Sequence, residues 1–238
     1  MKRKLGFTTG LLLLVIGCNN YYMICSLNPF YVERNVIVLP AVEGSWLAKP
    51  PEQPPKTSAD SSNSKIWGVA DTTSTWTIKR VISKETAKTK KGVDSITYKP
   101  ENFYNAKLVR TSDSVVYEFK VVLFNVKKGL YADFIPNAKE SMMKSKLASG
   151  SFFEVHTLAR VTLVGQKMNL SWLGADCMKE MIEKKRVRVN YQWVKETGRF
   201  LLIATSSDLT EMLERYADQS RFINWDTQQA RLNLTRIN

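Results

Sequence analysis

Few side chains in this sequence are suited to nucleophilic or metal chemistry: Cys18, Cys25, Cys177 and a single histidine, His156, among 238 residues. A Cys177–His156 pair has the right types for a thiolate and its base, but no flanking motif supports it. One histidine with scattered acids does not supply the three or four ligands of a zinc site. The sequence holds no Gly-rich phosphate loop, no Gly-x-Ser-x-Gly elbow and no His-Glu-x-x-His. Nothing nominates a glycosidase acid–base pair among its 22 acids. We therefore expect no catalytic residue, no metal and no cofactor, and place a hydrolase third among the functional readings.

The positions of these residues follow from the elements that carry them. His156 shares a strand face with Glu154 and Arg160, opposite an apolar set of Phe153, Val155, Thr157, Ala159, Val161 and Leu163, so we expect it in solvent. Cys177 falls with Met178, Met181 and Ile182 on one face of a short helical pattern from about Ala175 to Lys185, which reads as a reduced core thiol. We expect no disulfide, a Cys25–Cys177 bridge being the one pairing weighed.

From residue 75 the dominant period is two. Trp76, Ile78 and Ile82 alternate with polar neighbours, as do Tyr104, Ala106 and Leu108. Lys127-Lys128-Gly129 and Gly165-Gln166 read as hairpin turns. Val187, Val189, Tyr191 and Trp193 alternate again, and Phe200 to Thr205 suits a strand covered on both faces. Leu209, Met212, Leu213 and Tyr216 form the surest helix, with Asp208 to Glu211 as its capping box, and a weak helix lies near Asn137 to Leu147. About nine strands with two or three short helices predict a mainly β chain. The expected form is one antiparallel barrel-like or bent-sheet domain, with a β-sandwich as the alternative. We divide the chain into residues 1–17 as a leader, 18–41 as a tether, 42–225 as the β-rich domain and 226–238 as a tail.

The leader has the order of a secretory signal: Lys2, Arg3 and Lys4, an apolar run ending Leu11 to Ile16, then small Gly17. The run is shorter than the about 20 residues a membrane-spanning helix needs. Val15-Ile16-Gly17-Cys18 resembles the lipobox of bacterial lipoproteins. The resemblance implies cleavage after Gly17 and lipidation of Cys18, with diacylglyceryl on its thiol and an acyl chain such as palmitate on its amine. Ile24, before Cys25, is too large for the rival cut. The implied address is the bacterial cell envelope, lipid-anchored, and the outer membrane where the host has one, because Asn19 replaces the aspartate that marks inner-membrane retention. Gly44-Ser45-Trp46 is similar to the Gly-x-Trp signature of lipocalins, whose Trp plugs the closed end of a barrel; their later Thr-Asp-Tyr motif is absent.

The formal net charge of +13 favours anionic partners without fixing a fold. One basic stretch gathers Lys79, Arg80, Lys84, Lys88, Lys90 and Lys91 around Gly92; another gathers Lys184, Lys185, Arg186 and Arg188. Both read as solvated rims or as contacts to anionic head groups beside the anchor. The expected partners are the membrane, through the N-terminal lipid, and an anionic lipid or an envelope protein. Export argues against nucleic acid, and the oligomeric state stays open. Trp46, Trp76, Trp172 and Trp193 fit inward strand positions, which either fill a barrel or line a cavity within it. The first functional expectation is a non-enzymatic envelope lipoprotein whose barrel binds a small apolar or amphipathic ligand or an envelope component. The second is an accessory lipoprotein, packed solid, that docks other envelope proteins.

Overall fold

Side chains alternating about a pleated backbone can bury one row while the other stays wet, and an antiparallel sheet closed on itself does this without leaving an edge. The computed structural model describes residues 23–48, 73–88, 94–112, 114–137, 154–194, 199–225 and 231–237. Its strands are β1 (Cys25–Ser26), β2 (Gly44–Ala48), β3 (Ser74–Lys88), β4 (Asp94–Arg110), β5 (Val116–Val126), β6 (Gly129–Pro136), β7 (His156–Val164), β8 (Lys167–Trp172), β9 (Tyr191–Val194), β10 (Arg199–Leu202) and β11 (Arg231–Ile237). Two helices join them, α1 (Ala175–Glu183) and α2 (Ser206–Tyr216).

Strands β2 to β8 pair antiparallel in succession, and β11 closes the ring by pairing with both β8 and β2. The result is an eight-stranded antiparallel barrel of the lipocalin-like kind expected from the sequence. Turns follow the expected chemistry. Gly165 takes φ +57° between β7 and β8. Tyr131 folds back over Gly129 so closely that a Cβ there would strike its ring.

Three expectations are corrected. Residues 226–238 were assigned to a tail, yet 231–237 are the closing strand: Leu232 and Leu234 alternate inward and are buried. Residues 18–41 were assigned to a tether, yet from Met23 onward the chain is built into the fold. Ile24 and Phe30 are fully buried, and β1 pairs with β7 and β10. The polar breaks around Asn28-Pro29 hid this, because single anchors such as Phe30 carry no periodicity. Ile82, grouped with Trp76 and Ile78, is 64% exposed, because β3 runs past the barrel and the register shifts between Arg80 and Ile82.

Two cores result. One fills the barrel; the other lies outside it, where α1, α2, β1 and β10 cover Phe124, Val126, Tyr131 and Leu158 on the outer wall. Here β9 is shorter than expected, beginning at Tyr191, and Trp193 lies outside the barrel against Phe200, with ring centroids 4.4 Å apart. The capping box of α2 is Thr205 with Asp208, three residues earlier than read from the sequence. The helix expected near 137–147 lies almost wholly outside the described residues.

Because β11 is a wall of the barrel, Leu234→Ala should cost about 2–5 kcal/mol, as a core truncation does. A surface tail would lose no more than about 0.5 kcal/mol. Urea denaturation of the two proteins reads the difference.

Candidate functional site

The barrel interior is occupied by aromatic side chains. Trp76 stacks on Phe119, ring centroids 6.1 Å apart, and Phe134 packs edge-on to both and against Trp172 at 5.3 Å. One end is closed by residues 36–42. Ile37 N–H donates to Leu123 O, Leu39 N–H to the Tyr104 hydroxyl, and Trp46 Nε1–H to Val42 O at 2.9 Å. Arg236 lies over the Trp46 ring at 4.6 Å and donates to Ala41 O. Gly44 sits at φ +131°, in backbone space that favours glycine, with Arg236 against it. Three buried polar groups inside make no hydrogen bond among the described residues: the Trp76 and Trp172 indoles and the Ser74 hydroxyl.

His156 is not in solvent. It is 3% exposed, and its Nδ1 lies 2.8 Å from Asp133 Oδ2. The lone Asp133 within the apolar run from Leu130 to Ile135 was the sequence signal for this partner, since a carboxylate in a buried strand needs a counter-group. Burial pushes the Asp133 carboxyl above its usual range, and the bond from His156 and the Phe30 N–H pull it back. A carboxylate on Nδ1 is the orienting half of a nucleophile–base system, which also needs a hydroxyl or thiol at Nε2. The structure does not supply Cys177 there: its thiol donates to Phe222 O at 3.6 Å. Instead the pair ties β6 to β7 beside β1, where Ser26 is paired with His156.

The Cys25–Cys177 bridge is not formed, and the expectation of no disulfide is corrected at Cys25, which is disulfide-bonded. Cys18 lies outside the described residues. Among the described residues no group of three His, Cys, Asp or Glu could hold a metal, and no helix is long and apolar enough to cross a membrane.

The second basic stretch builds a groove of about 320 Å³ between the end of α1 and the side of α2. Lys185 adopts φ +53° and ends α1 by donating to Ile182 O, while Arg186 N–H bonds Met181 O. This reversal buries Val187 and leaves Arg186 and Arg188 exposed at the rim. Arg215 and Glu211 pair across one turn of α2, and Asp208 is engaged by the Thr205 backbone and hydroxyl. Lys185 and Arg188 have no ion pair among the described residues. Val187, Met212 and Tyr216 line the apolar part of the groove. Such a site suits an anion with an apolar portion.

No family model, curated protein or solved structure matches the chain. The first basic stretch takes no part in the groove: Lys79 and Lys84 lie on β3, which does not line it.

Two measurements test the buried polar groups. His156→Ala should cost about 3–5 kcal/mol, since it strands a buried carboxylate, whereas replacing Asp133 and His156 together by leucine should recover most of the loss. Chemical denaturation of the double-mutant cycle gives both values. Burial also pushes the Tyr131 hydroxyl up to about 12 from 10.0, and this hydroxyl has no hydrogen-bond partner among the described residues. Between those values the unfolded tyrosine ionises while the folded one does not, so stability falls as pH rises, by about 1.4 kcal/mol per pH unit for a fully protonated buried group. Tyr131→Phe should make that fall shallower and leave the urea midpoint at neutral pH unchanged or higher.

Proposed function

We propose that this chain is a membrane-anchored envelope lipoprotein whose barrel is a packed scaffold, and that it works non-enzymatically by docking an anionic envelope component in the groove beside α2. One observation carries the choice of docking over carriage. The barrel interior is taken up by its own aromatic rings, while the groove lies outside the barrel with Lys185 and Arg188 unpaired among the described residues. The leader and Val15-Ile16-Gly17-Cys18 support the anchor. The alternative of a ligand held inside the barrel keeps one observation in its favour, the donors of Ser74, Trp76 and Trp172, unpaired among the described residues.

Anchoring through Cys18 places the domain close to its membrane. The residues from Cys18 to Met23 span at most about 18 Å. Met23 is bridged to Gly174, immediately before α1, and the groove lies at the opposite end of that helix, about 14 Å away along its axis.

Two experiments test the reading. Mass mapping of the mature N-terminal peptide should find an acylated Cys18, and Cys18→Ser should release the protein from the membrane. A thioether consumes the thiol, so a Cys18–Cys25 disulfide in the mature protein overturns the anchor. Native mass spectrometry of the delipidated chain with phosphatidylglycerol and with a neutral fatty ester should show binding of the anionic lipid, weakened at least tenfold by Lys185→Glu with Arg188→Glu. Retention of the neutral ester alone, unaffected by those substitutions, favours the interior site instead.

A further inference from the structure

Beyond the barrel, β3 and β4 continue as a two-stranded ribbon. The pairing of β2 with β3 stops at Gly44↔Ile78 and that of β4 with β5 at Tyr104↔Val121, but β3 and β4 stay paired from Ile82↔Pro100 to Lys88↔Asp94. The ribbon thus extends roughly 20 Å past its neighbours. Two strands alone are marginal in water, so an arm of this length needs something to lie against.

Its two faces differ. Register and alternation put Ile82, Lys84 and Thr86 of β3 on one face with Pro100, Tyr98 and Ile96 of β4. Ser83, Glu85, Lys99 and Thr97 share the other. On the first face Ile82, Tyr98 and Ile96 are 64%, 67% and 50% exposed, a run of large apolar side chains with nothing over it among the described residues. Between residues 79 and 101 the sequence carries seven basic residues against three acids.

Area and charge together select the occupant. The apolar face measures about 20 by 10 Å, roughly a quarter of the area per partner that a standard protein interface buries. A second copy would bring two such cationic arms together. A bilayer asks for no matching shape. It takes isoleucine into its outer hydrocarbon, tyrosine at the head-group level and lysine against lipid phosphate. We propose that the β3–β4 ribbon is a membrane-binding arm that lays its Ile82–Tyr98–Ile96 face on an anionic bilayer. This surface is separate from the groove and does not depend on Cys18.

The test is hydrogen exchange of residues 82–86 and 96–100 in the full chain carrying Cys18→Ser, with phosphatidylglycerol vesicles, phosphatidylcholine vesicles or none. The ribbon amides should slow by roughly tenfold or more on phosphatidylglycerol and remain unchanged on phosphatidylcholine. Ile82→Asp with Tyr98→Asp should abolish the slowing without moving Tm, since both side chains are exposed. Lys185→Glu with Arg188→Glu should leave it intact, which separates the arm from the groove. The proposal is overturned by equal exchange with and without anionic vesicles, by equal slowing on both lipids, or by slowing without lipid that grows with protein concentration, the sign of a second copy.

Discussion

Closure of the barrel by β11 is the constraint on which the rest of the structure depends. Leu234 pairs with Met168 on one side and Ala48 on the other, so a strand near the C-terminus satisfies two edges that β8 and β2 would otherwise expose. An open eight-stranded sheet would carry two rows of unpaired amides and an uncovered aromatic face. With the ring shut, those rings become a core, and Arg236 lies over Trp46 at the plugged end.

The outer layer depends on this closure in turn. Phe124, Tyr131 and Leu158 project outward from barrel strands, and α1, α2, β1 and β10 cover them. Tyr131 links the layers through ring contacts with Phe124 and Trp225 at 5.7 Å each. The Asp133–His156 bond lies where this layer meets the barrel. A buried pair of this kind contributes little net stability relative to well-packed apolar residues, yet it penalises any arrangement that separates its partners. It therefore bears on which strands meet at β1. The groove is a by-product of the same layer: α1 must reverse to send Val187 inward, and that reversal turns Arg186 and Arg188 outward.

The barrel was legible in the sequence because strands such as β3, β4 and β7 write their burial as alternation. The turns at Lys127-Lys128-Gly129 and Gly165-Gln166 were equally plain. What failed to show was structure without a period. Segment 23–42 is held by isolated anchors, Ile24, Phe30 and Val42, spaced among polar residues. In β11 the inward row is only Leu232 and Leu234, too short to distinguish from a tail. His156 misled because its neighbours Glu154 and Arg160 are polar, and only the lone carboxylate of Asp133, on another strand, reveals its burial. The groove was half visible: the run Lys184 to Arg188 announced the charge, but the α2 side of the site required the fold.

The pairing of β2 with β11 has a further consequence for how the chain comes to be folded. Trp46 and Arg236 are register partners at opposite ends of the sequence, and Cys25 likewise waits for Leu201. Contacts so distant along the chain reward the loss of loop entropy only late, which slows folding and makes it nearly all-or-none. No portion of the chain that lacks residues 231–237 can complete the barrel. The chain stays open for as long as β11 is unmade, and it acquires its final shape only once residues 231–237 reach both neighbouring strands.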